Sequence, residues 1–211
     1  MAFPTTSVLD TFTGADESPI TTNWTCPLFS GELGYNRLSN AIAPSALGQF
    51  SNGYYDIATF GTDSEAWVTI TTMGAATDHL TLYAAMINAG AAALDGYAVR
   101  MICAAGAETV RVLRYDDGSP TTLGADITSE SFVDGDGLGV QRVGSDVTAW
   151  RRSGGVWSLI GTRTDATYTH TGHIGLQFFA ATPPSTFVLD DFGGGGGGVT
   201  HIGKRGMSMV S

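Results

Sequence analysis

The chain has 211 residues with 29 glycines and 7 prolines, 43% of them hydrophobic and 14% charged, a balance that suits one all-β domain of short strands and tight turns and excludes a disordered chain. A formal charge of −10 makes the surface acidic, which repels phosphate backbones and anionic headgroups and argues against nucleic acid or membrane as partner. No 18-residue apolar run occurs, and the opening MAFPTTSVLDTF has neither the basic nor the apolar region of a signal peptide.

No window of a dozen residues repeats its apolar positions at three and four, so helices are not expected. Strands are expected over 8–12, 54–59, 65–72, 80–88, 96–104, 109–115, 138–143, 147–152, 156–162, 174–179 and 187–192, each bounded by Gly, Asp, Asn, Ser or Pro. Alternation points Val68 and Ile70 inward and Trp67, Thr69 and Thr71 outward, and it makes Ile174, Leu176 and Phe178 a second inward set. Between Leu80 and Asn88 both alternating sets are apolar, which predicts a central strand covered on both faces or facing a partner. Glycine turns at Gly144-Ser145 and Ser153-Gly154-Gly155 join three consecutive strands into a meander. Cys26 and Cys103 sit in apolar settings and are expected as buried free thiols.

Leu9-Asp10-Thr11-Phe12 near the start is echoed by Leu189-Asp190-Asp191-Phe192 near the close. Six glycines follow, Gly193 to Gly198, and then VTHIGKRGMSMVS, so the domain is expected over 1–192 and a Gly-rich tail over 193–211. Because a glycine run orders at an entropic cost and buries almost no side chain, the tail is expected to dock on a neighbouring subunit or on another protein of the same assembly. Val199, Ile202, Met207, Met209 and Val210 would anchor it, with Lys204 and Arg205 meeting the acidic surface of an adjacent copy.

The acidic groups Asp63-Ser64-Glu65, Asp116-Asp117 and Asp134-Gly135-Asp136-Gly137 stand with glycine or serine between apolar strands and are expected in turns. GxSxG is absent, and His79, His170, His173 and His201 lack neighbouring nucleophiles. His170 and His173, three apart on a non-helical segment, are expected as exposed turn residues, not ligands of one metal. Trp67 and Trp150 alternate with polar neighbours and are the candidates for an exposed aromatic sugar platform; packing in the core or an interface is the alternative.

Three stretches taken in order resemble a known family. They are VLDTFTGADESPITTNW, with Asp-x-Phe followed by Asn23-Trp24; DGDGLGVQRVGSDVTAWRRSGGVWSLIGTRTDATYTHTGHIGLQFF; and TFVLDDFGGG. Over about residues 7 to 192 they are similar to the concanavalin A-like lectin/glucanase superfamily, in the laminin-G-like form found in bacteriophage virion proteins. The resemblance implies a two-sheet antiparallel jelly-roll sandwich whose last strand pairs beside its first. It also implies a structural calcium site near those strands, for which Asp10 and Asp190 are the candidates, against the alternative that both acids bond backbone amides. The alternating catalytic acids of the family's glycosidases are missing, so the expectation is a protein without enzymatic activity and without a cofactor other than that calcium. The fold is mostly extracellular while the chain shows no secretion signal, which suits a structural component of a tailed phage, as capsid decoration or tail fibre. Its partners would be other virion proteins, copies of itself and a surface glycan. A stand-alone carbohydrate-binding adhesin module is the alternative, and a glycoside hydrolase a third.

Overall fold

Alternating apolar residues give each strand one buried face, and here enough strands follow one another to close two sheets over a shared core. The computed structural model describes residues 3–29, 31–90, 93–181 and 187–196, and the backbone alone of 200 and 201. Among these residues there is no helix. The strands begin with β1 (Val8–Asp10), β2 (Trp24–Thr25), β3 (Tyr35–Leu38), β4 (Ala41–Pro44), β5 (Phe50–Tyr55) and β6 (Ala58–Thr59). They continue with β7 (Ser64–Thr72), β8 (His79–Ile87), β9 (Asp95–Ile102), β10 (Glu108–Asp116), β11 (Ser119–Thr122) and β12 (Ile127–Glu130). The last six are β13 (Gly137–Val143), β14 (Asp146–Ser153), β15 (Val156–Thr164), β16 (His173–Phe179), β17 (Val188–Gly196) and β18 (Thr200–His201).

The first sheet runs β15-β14-β13-β7-β17-β4-β3, with β1 also paired to β17; the second runs β11-β10-β9-β8-β16-β5-β2, with β12 also paired to β10. Every pair in both is antiparallel, as a jelly-roll sandwich requires. The first strand lies beside β17, with Asp10 opposite Phe192. The β13-β14-β15 meander forms as expected, and its turn glycines take positive φ, 59° at Gly144, 56° at Gly154 and 82° at Gly155.

The core lies between the sheets. Val68, Ile70, Leu138, Val140, Val147 and Leu189 of the first face Leu80, Leu82, Val99, Val112, Ile174, Leu176 and Phe178 of the second. All the expected inward positions are buried, Phe178 at 1% exposure. Strand β8 is covered on both faces: on the outer side Tyr83 and Met86 join Leu28, Leu94, Ala98, Leu113 and Tyr115 in a smaller cluster. Cys26 and Cys103 are free thiols, and burial pushes each up to about 12.

Three expectations are corrected. The expected 54–59 strand is two, β5 and β6, broken at Asp56, and the hairpin of β3 and β4 was not anticipated because Asn36-Arg37 and Pro44 interrupt its apolar pattern. Glu65 lies inside β7 and is buried, not in a turn. The strand expected to end at 192 runs on to Gly196, with Gly193, Gly194, Gly195 and Gly196 opposite Trp67, Ala66, Glu65 and Ser64 of β7. A Cβ at Gly193 would lie 2.6 Å from Trp67 Nε1, and one at Gly194 2.5 Å from the Glu65 carbonyl oxygen. The first glycines of the run are therefore a strand over whose bare backbone neighbouring groups lie, and not a linker. Thr200–His201 pairs with β6, while Val199, Ile202, Lys204, Arg205, Met207, Met209 and Val210 lie outside the described residues.

Candidate functional site

On the outer face of the second sheet, strand register sets polar side chains in one row across four neighbouring strands. Arg100 of β9 lies opposite Thr81 of β8, Thr81 opposite Gln177 of β16, and Gln177 opposite Asn52 of β5. A row perpendicular to the strands needs one polar residue per strand at matched register, which no local stretch of sequence displays. The row is held by hydrogen bonds. Arg100 donates through Nε to Thr81 Oγ1 at 3.0 Å and through Nη2 to the Tyr115 hydroxyl at 2.7 Å. Tyr83 Oη stands 3.2 Å from both Tyr115 Oη and Gln177 Oε1. The amides of Gln177, at 3.1 Å, and of Asn52 donate to Glu32 Oε2. Asn52 Oδ1 in turn accepts the backbone N–H of Leu28 and, at 3.4 Å, that of Phe29, which pins the loop carrying Glu32 over the sheet.

A groove of about 210 Å³ opens beside this row, lined by Phe29, Glu32, Phe50, Arg100, Tyr115, Gly118, Pro120 and Gln177. Burial raises the Glu32 carboxyl above its ordinary range, against the two amide bonds and the Arg100 charge, which lower it. Burial likewise raises the Tyr83 and Tyr115 hydroxyls, so both are neutral donor-acceptors. Glu32 and Arg100 both line the groove yet form no ion pair with each other. Aromatic walls with a few convergent polar groups are the features of a small-molecule site.

Trp67 and Trp150 are brought together, but on the outer face of the other sheet, where Gly139 of β13 lies between them in register. They do not form an open platform. Phe3 stacks on Trp150 at 4.8 Å with an interplanar angle of 5° and meets Trp157 edge-on at 4.9 Å, while Trp67 is only 6% exposed. A Cβ at Gly139 would come within 2.6 Å of Phe3 Cε1, so the glycine is what admits the ring. Glu65 secures the same N-terminal segment, its Oε1 accepting Thr5 N–H at 2.7 Å, Thr6 N–H at 2.9 Å and the Thr6 hydroxyl at 2.6 Å. The indole Nε1 atoms of both tryptophans and Arg152 Nε are buried there without partners.

Asp10 and Asp190 lie on the paired strands β1 and β17, and each accepts a backbone N–H. Asp10 accepts the Phe12 N–H at 2.7 Å on one oxygen and Trp24 Nε1–H at 2.8 Å on the other; Asp190 accepts the Asp191 N–H at 2.8 Å. Burial raises the Asp190 carboxyl, with the charges of Asp191 and Asp10 adding to it. Calcium takes six to eight oxygens, from carboxylates and carbonyls alike, and among the described residues no three acidic, histidine or cysteine side chains converge. His170 and His173 are half-buried, not exposed, and diverge: His170 Nε2 stands 2.7 Å from the Ala85 carbonyl and His173 Nδ1 3.2 Å from that of Tyr55.

Glu32, Asn52, Arg100, Tyr115 and Gln177 were not among the expected site residues. The one signal was the doubly apolar pattern of 80–88, which put a partner or a cover on this face.

No protein-family model and no curated protein matches the chain. Solved structures do. A legume lectin-like domain from Entamoeba histolytica superposes with a TM-score of 0.60 at 11% identity, over 93% of this chain and 100% of its own. The exoplasmic/lumenal domain of VIP36 in a Ca2+- and Man2-bound form gives 0.61 at 14% identity, over 97% and 88%. The carbohydrate recognition domain of Emp46p, potassium-bound, gives 0.61 at 10% identity, over 90% and 95%. With two antiparallel sheets, β1 beside β17 and these likenesses, the chain has the legume-lectin-like fold of the concanavalin A-like jelly rolls.

Proposed function

We propose that the chain is a non-catalytic glycan-binding module whose combining site is the groove on the outer face of the second sheet. The observation that carries this reading is the cross-strand row, of which Arg100 and Gln177 reach the groove beside Glu32, with Phe29, Phe50 and Pro120 as its apolar walls and Thr81 and Asn52 as buried supports. Donors and acceptors held in fixed positions beside apolar walls suit a ring that is hydroxylated at its edge and apolar on its faces. Glu32 is the one carboxylate among the lining residues, whereas glycosidic cleavage needs two. The Man2-bound form of VIP36 supports a saccharide as ligand class. Titration calorimetry with oligosaccharides chosen from a glycan array tests the reading, with binding by the wild type and loss in Glu32→Gln and Arg100→Met expected. A reducing-sugar assay that shows turnover would overturn its non-catalytic part.

The finer proposal places the module on a tailed-phage particle, as capsid decoration or tail-fibre component, on the strength of the residue patterns shared with phage virion proteins. Mass spectrometry of purified particles tests it, and absence of the chain from them refutes it.

A further inference from the structure

We infer that the groove selects sugars that carry an acetamido group, with Glu32 accepting the amide N–H and Arg100 donating to the amide carbonyl. This rests on the glycan-binding reading above and narrows it to one ligand chemistry.

The argument starts from bonding capacity that the folded chain leaves unused. Glu32 receives both of its amide bonds on Oε2, and Oε1 carries none. Arg100 commits Nε and Nη2 to Thr81 and Tyr115, and Nη1 carries none. An acceptor-only group and a donor-only group therefore line one small groove without satisfying each other. A ligand that meets both must present a donor and an acceptor, and charge decides among the sugars that do. A uronate can pair with Arg100 but then brings a like charge beside Glu32 and leaves its free oxygen without a donor, and a free amino sugar can pair with Glu32 but then brings a like charge beside Arg100 and leaves its free N–H without an acceptor. A neutral amide supplies an N–H and a C=O on opposite sides of a rigid plane and brings no charge. Its methyl group then needs an apolar wall, which Phe29, Phe50 and Pro120 provide. A sugar with hydroxyl groups alone can donate, accept and lay a ring face on that wall, but it lacks the additional methyl group that the acetamido sugar buries there.

The test compares N-acetylglucosamine and N-acetylgalactosamine with glucose, galactose, glucosamine and glucuronate, by calorimetry or saturation-transfer NMR, on the full chain. The acetamido sugars should bind at least about tenfold more tightly than their parent sugars, the scale of one hydrogen bond to a charged group. Glu32→Gln and Arg100→Met should each remove most of that preference; Arg100→Lys, which keeps a charge and loses the fork, guards against a folding defect and should weaken it too. If the parent sugars bind as tightly as the acetamido sugars and these variants weaken both alike, the groove is a glycan site and the acetamido inference falls. If no saccharide binds, or the variants change nothing, the glycan reading falls and takes the inference with it.

Discussion

Gly193→Ala tests whether the glycine run is a strand floor or a linker. Gly193 sits in β17 opposite Trp67, and a Cβ built on it would lie 2.6 Å from Trp67 Nε1 and closer still to the neighbouring ring carbons. Ordinary contact begins near 3.4 Å, so the indole has to retreat by about an ångström. It has little room to do so, because Trp157 stands edge-on at 6.2 Å. Overpacking of this kind costs about 1–3 kcal/mol, and replacing glycine by alanine offsets about 0.4–1 kcal/mol by restricting the unfolded chain, which leaves a net loss of about 1–2 kcal/mol. For a chain of this length that lowers the melting temperature by about 2–8 °C. Gly106→Ala is the internal control. Nothing lies within 4 Å of its Cβ position and its φ is not positive, so the same substitution there should stabilise by about 0.4–1 kcal/mol. Denaturant titration followed by tryptophan emission measures both. Opposite signs support the floor. If Gly193→Ala is as stable as Gly106→Ala, the ring does not lie on the glycine and the linker reading stands.

Phe178→Ala removes a ring with 1% exposure that packs on Tyr35 at 5.7 Å, and should cost about 3–5 kcal/mol in a denaturant titration; a loss below about 1 kcal/mol would show its face to be wrongly assigned. Phe3→Ala should uncover Trp150 and Trp157, seen as a red-shifted and more readily quenched tryptophan emission, and an unchanged spectrum would mean that Phe3 covers neither. Glu32 faces Arg100 and the Tyr83 and Tyr115 hydroxyls, with the neutral amides of Asn52 and Gln177, and its carboxyl is raised above 4.5 by burial. The folded chain therefore holds this proton more tightly than the unfolded one, so Glu32 contributes stability below pH 4.5 that is lost as the pH rises through its raised value. Glu32→Gln, whose amide oxygen still accepts both amides, should consequently gain stability relative to wild type from acidic to neutral pH; a constant difference across that range would refute the burial argument.

What sequence reveals about this fold follows from what strands bury. Val68, Ile70, Ile174, Leu176 and Phe178 alternate with polar residues inside single segments, so period two alone assigns their faces, and the structure buries all five. The edges were harder to read. Strands β3 and β4 carry Asn36, Arg37 and Pro44, and Arg37 is buried because Glu17 and the Ala15 carbonyl meet it from a loop some twenty residues earlier. An interior arginine reads as a loop residue until its partner is known. Gly193 to Gly196 misled for the converse reason: glycine weakens an isolated strand, and only groups remote in sequence, the ring of Trp67 at Gly193, the Glu65 carbonyl at Gly194, Thr6 at Gly195 and the Asp63 carbonyl at Gly196, explain why a side chain there is worse.

The candidate site illustrates the same limit more sharply. Each member of the row is unremarkable where it stands in sequence: Thr81 among leucines, Arg100 before a methionine, Gln177 between Leu176 and Phe178, Asn52 beside a glycine. Their relation exists only once register aligns β9, β8, β16 and β5, and a slip of one residue in any of them would turn its polar member into the core and an apolar neighbour outward. That coupling also explains why the row tolerates burial. Asn52 and Gln177 are almost fully buried, and a buried amide without partners is costly, yet Asn52 gives its oxygen to the Leu28–Phe29 loop, Gln177 receives the Tyr83 hydroxyl, and both give their N–H groups to Glu32. The tryptophans conveyed the opposite impression. Trp67 and Trp150 do point away from the core, as alternation requires, but outward on a sheet is not the same as open to solvent: Phe3, whose ring lies over Gly139, covers Trp150, and Trp157 stands against Trp67. Period two assigns a side chain to a face of its sheet; whether that face is bare depends on a segment elsewhere in the chain, and here such segments leave the groove open on one sheet and close the aromatic face of the other.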